Sequence, residues 1–442
     1  MRFLFNKIKK ADGYRGIWYY NQPLKNEYKF KYSGGLGTYC AKHIPFAWYD
    51  GFSKKTFFCY GGTKKKRNRL LHMVSYYDHN SGTVPKPTVL LNKKTDDAHD
   101  NPTILMDQEG YVWIFSSSHG TSRPSYIHRS QQPRSIDQFD RILKGNFSYP
   151  QVKYVDDRFF FLHTKYVDHK RFLAFKTSTD GMNWTERRFI ARIEKGHYQV
   201  SNQHGGKIGS AFNYHPDPEG LNHRTNLYYM ETPDLGRSWQ NASGDELKVP
   251  LEEVDNRALA FDFEESNKLV YMKDLIFDDE GNPAILVIIS SGFKSGPKNG
   301  PRKWVLVFWR DGRWQTSEIT DSDSNYDMGS LYIQNDHSLR LVAPTETGPQ
   351  PYNPGGEICF WDSDPAWKKW HLKKQLTINS QYNHTYVRRP VNAHDGFYAF
   401  WADGNPRKKS ESRLHFCTKD GEVYRLPESM KGSVEKPERI KK

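Results

Sequence analysis

The stretch His99–Ser130, H-D-N-P-T-I-L-M-D-Q-E-G-Y-V-W-I-F-S-S-S-H-G-T-S-R-P-S-Y-I-H-R-S, decides the fold. Its pieces Thr103–Met106, Val112–Ser116 and Ser125–Arg129 are short and rich in β-branched and aromatic residues. Asp107–Gly110 reads as a turn and Ser117–Pro124 as a Gly/Ser/Pro loop, so the stretch is a three-strand meander. A strand of about six residues spans ~20 Å, and two turns return the chain to the end where it began. His99, before the first strand, and His119, after the second, are therefore expected on one rim of one small sheet.

Outward from this stretch, the pattern repeats. H-I-P-F-A-W-Y-D leads into K-T-F-F-C-Y, S-Y-P-Q-V-K-Y-V-D-D into R-F-F-F-L-H, and M-K-D-L-I-F-D-D-E-G into P-A-I-L-V-I-I. First strands are read near Pro45, Pro102, Pro150, Gly205, Asp274, Gly329 and Pro390, a step of ~50–70 residues. The corresponding units open near residues 43, 99, 148, 203, 272, 327 and 388. Third and fourth strands flank turns of the form S/T-x-D-x-G-x-x-W, as at Ser178–Trp184 and Thr232–Trp239, with a degenerate copy at Asp311–Trp314. In such a turn Asp caps the backbone, Gly supplies a positive φ and Trp packs between units. Seven four-stranded units predict an all-β chain, a seven-bladed β-propeller forming a single domain over residues 1–442. Residues 1–40 are read as an extension that packs on the ring or closes it. A two-sheet sandwich accounts for neither the period nor the turns.

Composition agrees with strands. Of the 442 residues, 36% are hydrophobic and 15% aromatic, so the core is expected to be built on Tyr, Phe and Trp. Glu252–Ser266 is the best helical candidate. The formal charge of +14 suits nucleic acid or an anionic polysaccharide. No nucleic-acid motif is present, and apart from Lys64–Arg67 and the tail after Lys431 the Lys and Arg residues are scattered. Such scattered charge reads equally as a solvated basic surface; the expected partner is an acidic poly- or oligosaccharide, with no nucleic acid, no membrane and a monomeric chain. Cys40, Cys59, Cys359 and Cys417 lack zinc or redox spacing and are expected as free buried thiols. The start M-R-F-L-F-N-K-I-K-K is too polar for a complete signal peptide, and no apolar run is long enough to span a bilayer. The expected location is secreted or periplasmic if a leader has been removed, and cytoplasmic otherwise.

Propeller geometry turns these positions into a site. First strands line the channel, and loops that enter them share a face with loops joining second to third strands. This places His43, His99, Tyr149, His204, Lys273, Arg388 and Arg389 around one mouth. His119, Tyr166, Arg171, Tyr214 and Arg224 lie on its rim. A face rich in His, Arg, Lys and Tyr and poor in carboxylates is suited to an anion. It lacks the carboxylate pair of ordinary glycoside hydrolysis. β-Elimination from a uronic acid fits: a cationic group neutralises the carboxylate, a base removes the C5 proton, and an acid protonates the leaving oxygen. No cofactor is required for that chemistry.

The residues also carry a resemblance. G-Y-R-G-I-W at Gly13–Trp18, K-Y-S-G-G-L-G-T-Y at Lys31–Tyr39, H-D-N-P at His99–Pro102 and S-S-H-G-T-S-R-P-S-Y-I-H-R-S at Ser117–Ser130 resemble the BNR-repeat propellers. So do F-S-Y-P-Q at Phe147–Gln151, F-L-H-T-K-Y at Phe161–Tyr166 and K-T-S-T-D-G at Lys176–Gly181. That family includes rhamnose–glucuronate lyases, exo-α-L-rhamnosidases and, more distantly, ulvan lyases. The resemblance implies catalysis by His99, His119, Tyr166 and Arg171, and cleavage of L-rhamnose-α-1,4-D-glucuronate linkages to an unsaturated uronate. Tyr149, Tyr214, Arg224, Arg388 and Arg389 are the substrate-binding candidates. The alternatives are an exo-α-L-rhamnosidase, whose histidine on the opposite face would be His43, a non-catalytic carbohydrate-binding propeller and, more weakly, a sialidase. The resemblance further implies a structural Ca²⁺ in the channel, with His204 as the nearby metal candidate.

Overall fold

The fold is that of a computed structural model, which describes residues 9–65 and 67–441. Most of the leader-type reading at Met1–Lys10 therefore lies outside the described residues, as does Lys66 of the basic run. Seven antiparallel sheets form a ring, a seven-bladed β-propeller. Their innermost strands are Ala47–Asp50, Pro102–Met106, Ser148–Val155, Gln199–His204, Leu269–Phe277, Ser330–Ile333 and Asn383–Arg388, taken as blades 1 to 7. Blades 2 to 6 each have four strands in sequence order. Blade 1 gains Lys9–Lys10 on its outer edge, and blade 7 gains Glu438–Ile440. The two ends also clasp each other: Val434–Glu435 pairs with Val84–Pro85. At the channel, Val391 exchanges backbone hydrogen bonds with Ala47 and Tyr49 across the seam.

Two first strands begin earlier than their sequence suggests. Blade 4 opens at Gln199, and Gly205, with φ +53°, is in the turn that ends the strand. Blade 7 opens at Asn383 and stops before Pro390, whose ring nitrogen has no proton to donate. Both strands (Q-V-S-N-Q-H and N-H-T-Y-V-R) are polar, so alternation did not mark them. Glu252–Ser266 is not a helix. It is loop around the short outer strand Leu259–Phe261, and the helical elements among the described residues are three 3₁₀ turns.

The W-bearing turns behave as read. Asp180 accepts the backbone N–H groups of Met182 and Asn183 at 2.8 and 2.7 Å, and Trp184 Nε1 donates to Gly181 O at 2.8 Å. Trp184 packs on Phe115 of blade 2 and Phe159 of blade 3. Trp239 packs in the cluster that joins Phe160 and Phe175 of blade 3 to Phe212 and Tyr228 of blade 4. Asp311 and Gly312 both have positive φ, which makes the degenerate copy a tight hairpin turn. In the second turn Asp234 accepts from Ser238 through both oxygens, at 2.8 Å from N–H and 2.7 Å from the hydroxyl. Replacing Asp234 with Ala is expected to cost about 1–2 kcal/mol, measured by denaturant unfolding, with the fold retained.

Inside the ring, buried side-chain donors tie several channel-lining segments to their neighbours' carbonyls. Lys42 Nζ donates to Met272 O at 2.8 Å, Lys153 Nζ to Ser201 O at 3.0 Å, and Lys273 Nζ to Asn325 O at 2.7 Å. Arg388 Nε donates to Thr38 O at 2.8 Å, and a second guanidinium nitrogen reaches Cys40 O. The four cysteines are buried and free.

Candidate active site

One mouth of the ring is partly roofed. The hairpin Trp18–Pro23/Phe30–Gly35 lies across it, held by loops of four blades. Lys31 Nζ reaches Asn222 Oδ1, Ser295 Oγ donates to Phe30 O and Lys31 O, Asn353 Nδ2 donates to Tyr28 O, and Trp18 Nε1 donates to Asn405 O. Residues 36–44 then enter the channel. The extension thus turns an open mouth into a cavity of ≈ 150 Å³ and supplies Asn21, Lys31, Tyr32 and Tyr39 to its wall.

His99 and His119 meet in this cavity. His99 is on the 3₁₀ turn Ala98–Asp100 before the blade 2 inner strand, and His119 is in the loop after Val112–Ser116. Their rings stack with centroids 4.0 Å apart. Asp97 bridges them: Oδ1 is 2.6 Å from His99 Nδ1 and Oδ2 is 2.8 Å from His119 Nδ1. Burial alone would raise the Asp97 pKa, but the two imidazoles outweigh it and hold the carboxyl well below the usual range. His99 is buried, and burial together with His119 lowers its pKa against the opposing pull of Asp97. On its far side His99 Nε2 is 2.7 Å from the hydroxyls of both Tyr32 and Tyr39. Asp100 accepts the His119 backbone N–H at 2.6 Å and is clamped by Arg123.

Arg171 enters the cavity from blade 3. Tyr166 and Arg171 are cross-strand partners astride the two-residue turn Asp168–His169, whose φ values are both positive. Arg171 Nε donates to Tyr166 Oη at 3.2 Å. Burial raises the Tyr166 pKa while the Arg171 charge pulls it down. Tyr166 also faces His119, with ring centroids 6.3 Å apart. Tyr149 lies beneath, with φ +54° at an irregularity in its strand that turns its ring into the channel.

The structure therefore brings His99, His119, Tyr149, Arg171 and Arg224 to one cavity with Lys31, Lys42 and Lys273, and Tyr166 joins it through Arg171. Its lining residues include no Asp or Glu. Burial, with Arg224 and Arg171 nearby, pushes the Lys31 pKa down to about 7.

Other expected positions fall elsewhere. Arg389 and the end of blade 4 belong to the opposite mouth, because inner strands of blades 4 and 7 end, rather than begin, at His204 and Arg388. There Arg389 pairs with Asp274 at 3.2 Å and lines a cavity of ≈ 530 Å³. Arg388 is buried in its contacts to Thr38 and Cys40. Tyr214 is buried, donating to Glu264 at 2.7 Å, and does not line the cavity. His43 is fully buried between Phe46 and Tyr149, lines neither mouth, and burial pushes its pKa down to about 3. His204 packs against Phe277 and lies in neither of the His/Cys/Asp/Glu groups close enough to share an ion. Calcium takes several oxygen ligands, with carboxylates among them. The channel carries buried Lys42, Lys153, Lys273 and Arg388, and its Asp274 carboxylate is already paired with Arg389, which is not the oxygen-rich set that calcium takes. Sequence reasoning missed Asp97, Tyr32 and Tyr39 as site residues, although Asp97 stands two positions before His99 and both tyrosines lie in Lys31–Tyr39.

The model of the BNR repeat-containing family matches residues 46–322. An ulvan lyase of Nonlabens ulvanivorans is 25% identical over 309 residues, covering 61% of this chain and 63% of that protein. An ulvan lyase of Alteromonas sp. (strain LOR) is 24% identical over 311 residues, covering 61% and 62%. The match thus spans less than two thirds of these curated relatives. A solved PL25 ulvan lyase superposes with a TM-score of 0.73 at 15% identity, covering 93% of this chain and 96% of that one, and a second structure of it holds -[GlcA(1-4)Rha3S]-. With its matched residues spanning blades 1 to 5, the chain belongs to the BNR repeat-containing family, as a seven-bladed propeller related to the ulvan lyases.

Proposed function

We propose that the protein is a polysaccharide lyase that cleaves L-rhamnose-α-1,4-D-glucuronate linkages by β-elimination. The observation that carries this is a cavity lined by two histidines and several cations without a carboxylate, beside an Arg171–Tyr166 pair. Retaining or inverting hydrolysis needs two carboxyl groups about the bond, and the wall supplies none. The lyases among the relatives, one of them solved with a glucuronate–rhamnose oligosaccharide, support the same reading.

In this reading Arg171, with Arg224 and Lys31 beside it, faces the uronate carboxylate and stabilises the charge that develops as the C5 proton leaves, while His99 stands behind His119 on Asp97, Tyr32 and Tyr39. His119 and Tyr166 perform the proton transfers. One removes the C5 proton, the C4–C5 double bond forms, the C4–O4 bond breaks, and the departing oxygen receives a proton from the other. The products are an unsaturated uronate and a free hydroxyl end. Tyr149 and Arg224 shape the pocket around the sugar. The protein should be incubated with a rhamnose-capped glucuronan, following ultraviolet absorbance of the unsaturated product and free rhamnose together. Absorbance growing with new chain ends supports the lyase. Rhamnose without absorbance means hydrolysis and ends this reading.

A pH dependence follows from Lys31. It is charged below its pKa of about 7 and neutral above, so kcat/KM for an acidic glycan is expected to fall as pH rises through that value. The loss should be about tenfold, and the step should vanish in Lys31→Met.

A further inference from the structure

Asp97 does not line the cavity; it stands behind both imidazoles. We propose that Asp97 is the positioning residue of the site, holding His99 and His119 both as Nδ1–H tautomers and so making His119 Nε2 the proton acceptor. This rests on the lyase reading and deepens it by assigning the base.

An ionised carboxylate only accepts hydrogen bonds. With Oδ1 2.6 Å from His99 Nδ1 and Oδ2 2.8 Å from His119 Nδ1, both ring nitrogens must donate. A neutral imidazole protonated at Nδ1 has its lone pair at Nε2. The two Nε2 atoms then meet different fates. That of His99 is buried against Tyr32 and Tyr39, and because Tyr39 donates to Tyr32 at 2.9 Å, Tyr32 is left to donate to His99. That of His119 has no hydrogen-bond partner among the described residues, and its side chain is 29% exposed on the cavity. His119 is thus the imidazole free to take a proton.

Charge points the same way. Two imidazolium rings stacked at 4.0 Å repel, and one carboxylate between them supports one positive charge. His119 can gain a proton while His99 stays neutral. Asp97 is itself held in place. Its Oδ1 caps the 3₁₀ turn by accepting His99 N–H at 3.0 Å, and Arg123 approaches Oδ2 at 3.4 Å. Asp100 has the separate task of fixing the His119 backbone. A metal shared by Asp97, His99 and His119 is the competing arrangement. Two ligands on zinc, each bonded at about 2.0 Å, stand about 3.3 Å apart. The observed 2.6 and 2.8 Å are hydrogen-bond distances instead.

The test is ¹H–¹⁵N spectroscopy of the full chain with ¹⁵N-labelled histidine, assigned with His99 and His119 variants. Wild type is expected to show Nδ1–H for both rings. Either ring found as Nε2–H in wild type overturns the proposal without any variant. In Asp97→Asn one side of the amide accepts and the other donates, so one ring must turn to Nε2–H. Formation of unsaturated uronate should drop about 100-fold in kcat with KM little changed, while Asp97→Glu recovers part of the loss. Unchanged tautomers or unchanged kcat in Asp97→Asn overturns the proposal. Displacement of both Nδ1 protons by Zn²⁺ alone also overturns it, in favour of a metal site. If wild type forms no unsaturated uronate, the lyase reading falls, and the tautomers still decide what Asp97 does.

Discussion

Replacing His119 with Ala is expected to lower turnover of a uronate polymer by about 10³-fold or more, because it removes the nitrogen that exchanges the C5 or leaving-group proton. The loss should fall on kcat, with KM for the glycan within a few-fold, since Arg171, Arg224 and Lys31 still face the anion. Stability should change by no more than about 1 kcal/mol, the order of one hydrogen bond. The side chain is partly exposed, and the loop is held by the His119 backbone N–H on Asp100, which alanine keeps. Single-turnover kinetics and thermal unfolding of the same preparation separate the two effects. An intact kcat removes His119 from the chemistry, and a collapsed melting temperature assigns it a structural role.

The second large effect lies outside the cavity wall. Gly196 has φ +99°, and a Cβ there would stand 2.2 Å from Arg171 O and 2.5 Å from Arg171 C and N. The two segments are laced together: His197 N–H donates to Arg171 O at 2.8 Å, and Arg171 N–H donates to Lys195 O at 3.2 Å. Gly196→Ala therefore meets backbone strain and a backbone collision together, and the expected cost is about 4 kcal/mol. Whatever relaxation relieves the collision must move Arg171, so residual folded protein should also lose activity. Gly205→Ala is the control. Its φ is +53° but nothing stands within 4 Å, so the cost should be about 1 kcal/mol and activity should be kept. Equal effects at the two positions would mean that positive φ alone, rather than contact with Arg171, accounts for Gly196.

These expectations draw on two kinds of information. The sequence by itself determined the seven blades, since each is built on four strands close together in the chain, most marked by apolar alternation and three by W-bearing turns. It also determined that His99 and His119 share a rim, because a two-turn meander returns the chain to the end where it began, and that Tyr166 and Arg171 lie on that rim; the structure makes them cross-strand partners. The register of blades 4 and 7 was not legible, because their inner strands face a polar channel and lack alternation. That misreading sent His204 and Arg389 to the wrong mouth. Only the tertiary structure decided that the N-terminal hairpin roofs the cavity, that Tyr32 and Tyr39 back His99, and that Asp97 joins the two imidazoles. Those contacts link residues far apart in the chain or turn on one side-chain direction. Strand periodicity carries neither, whereas closure of the ring settles both.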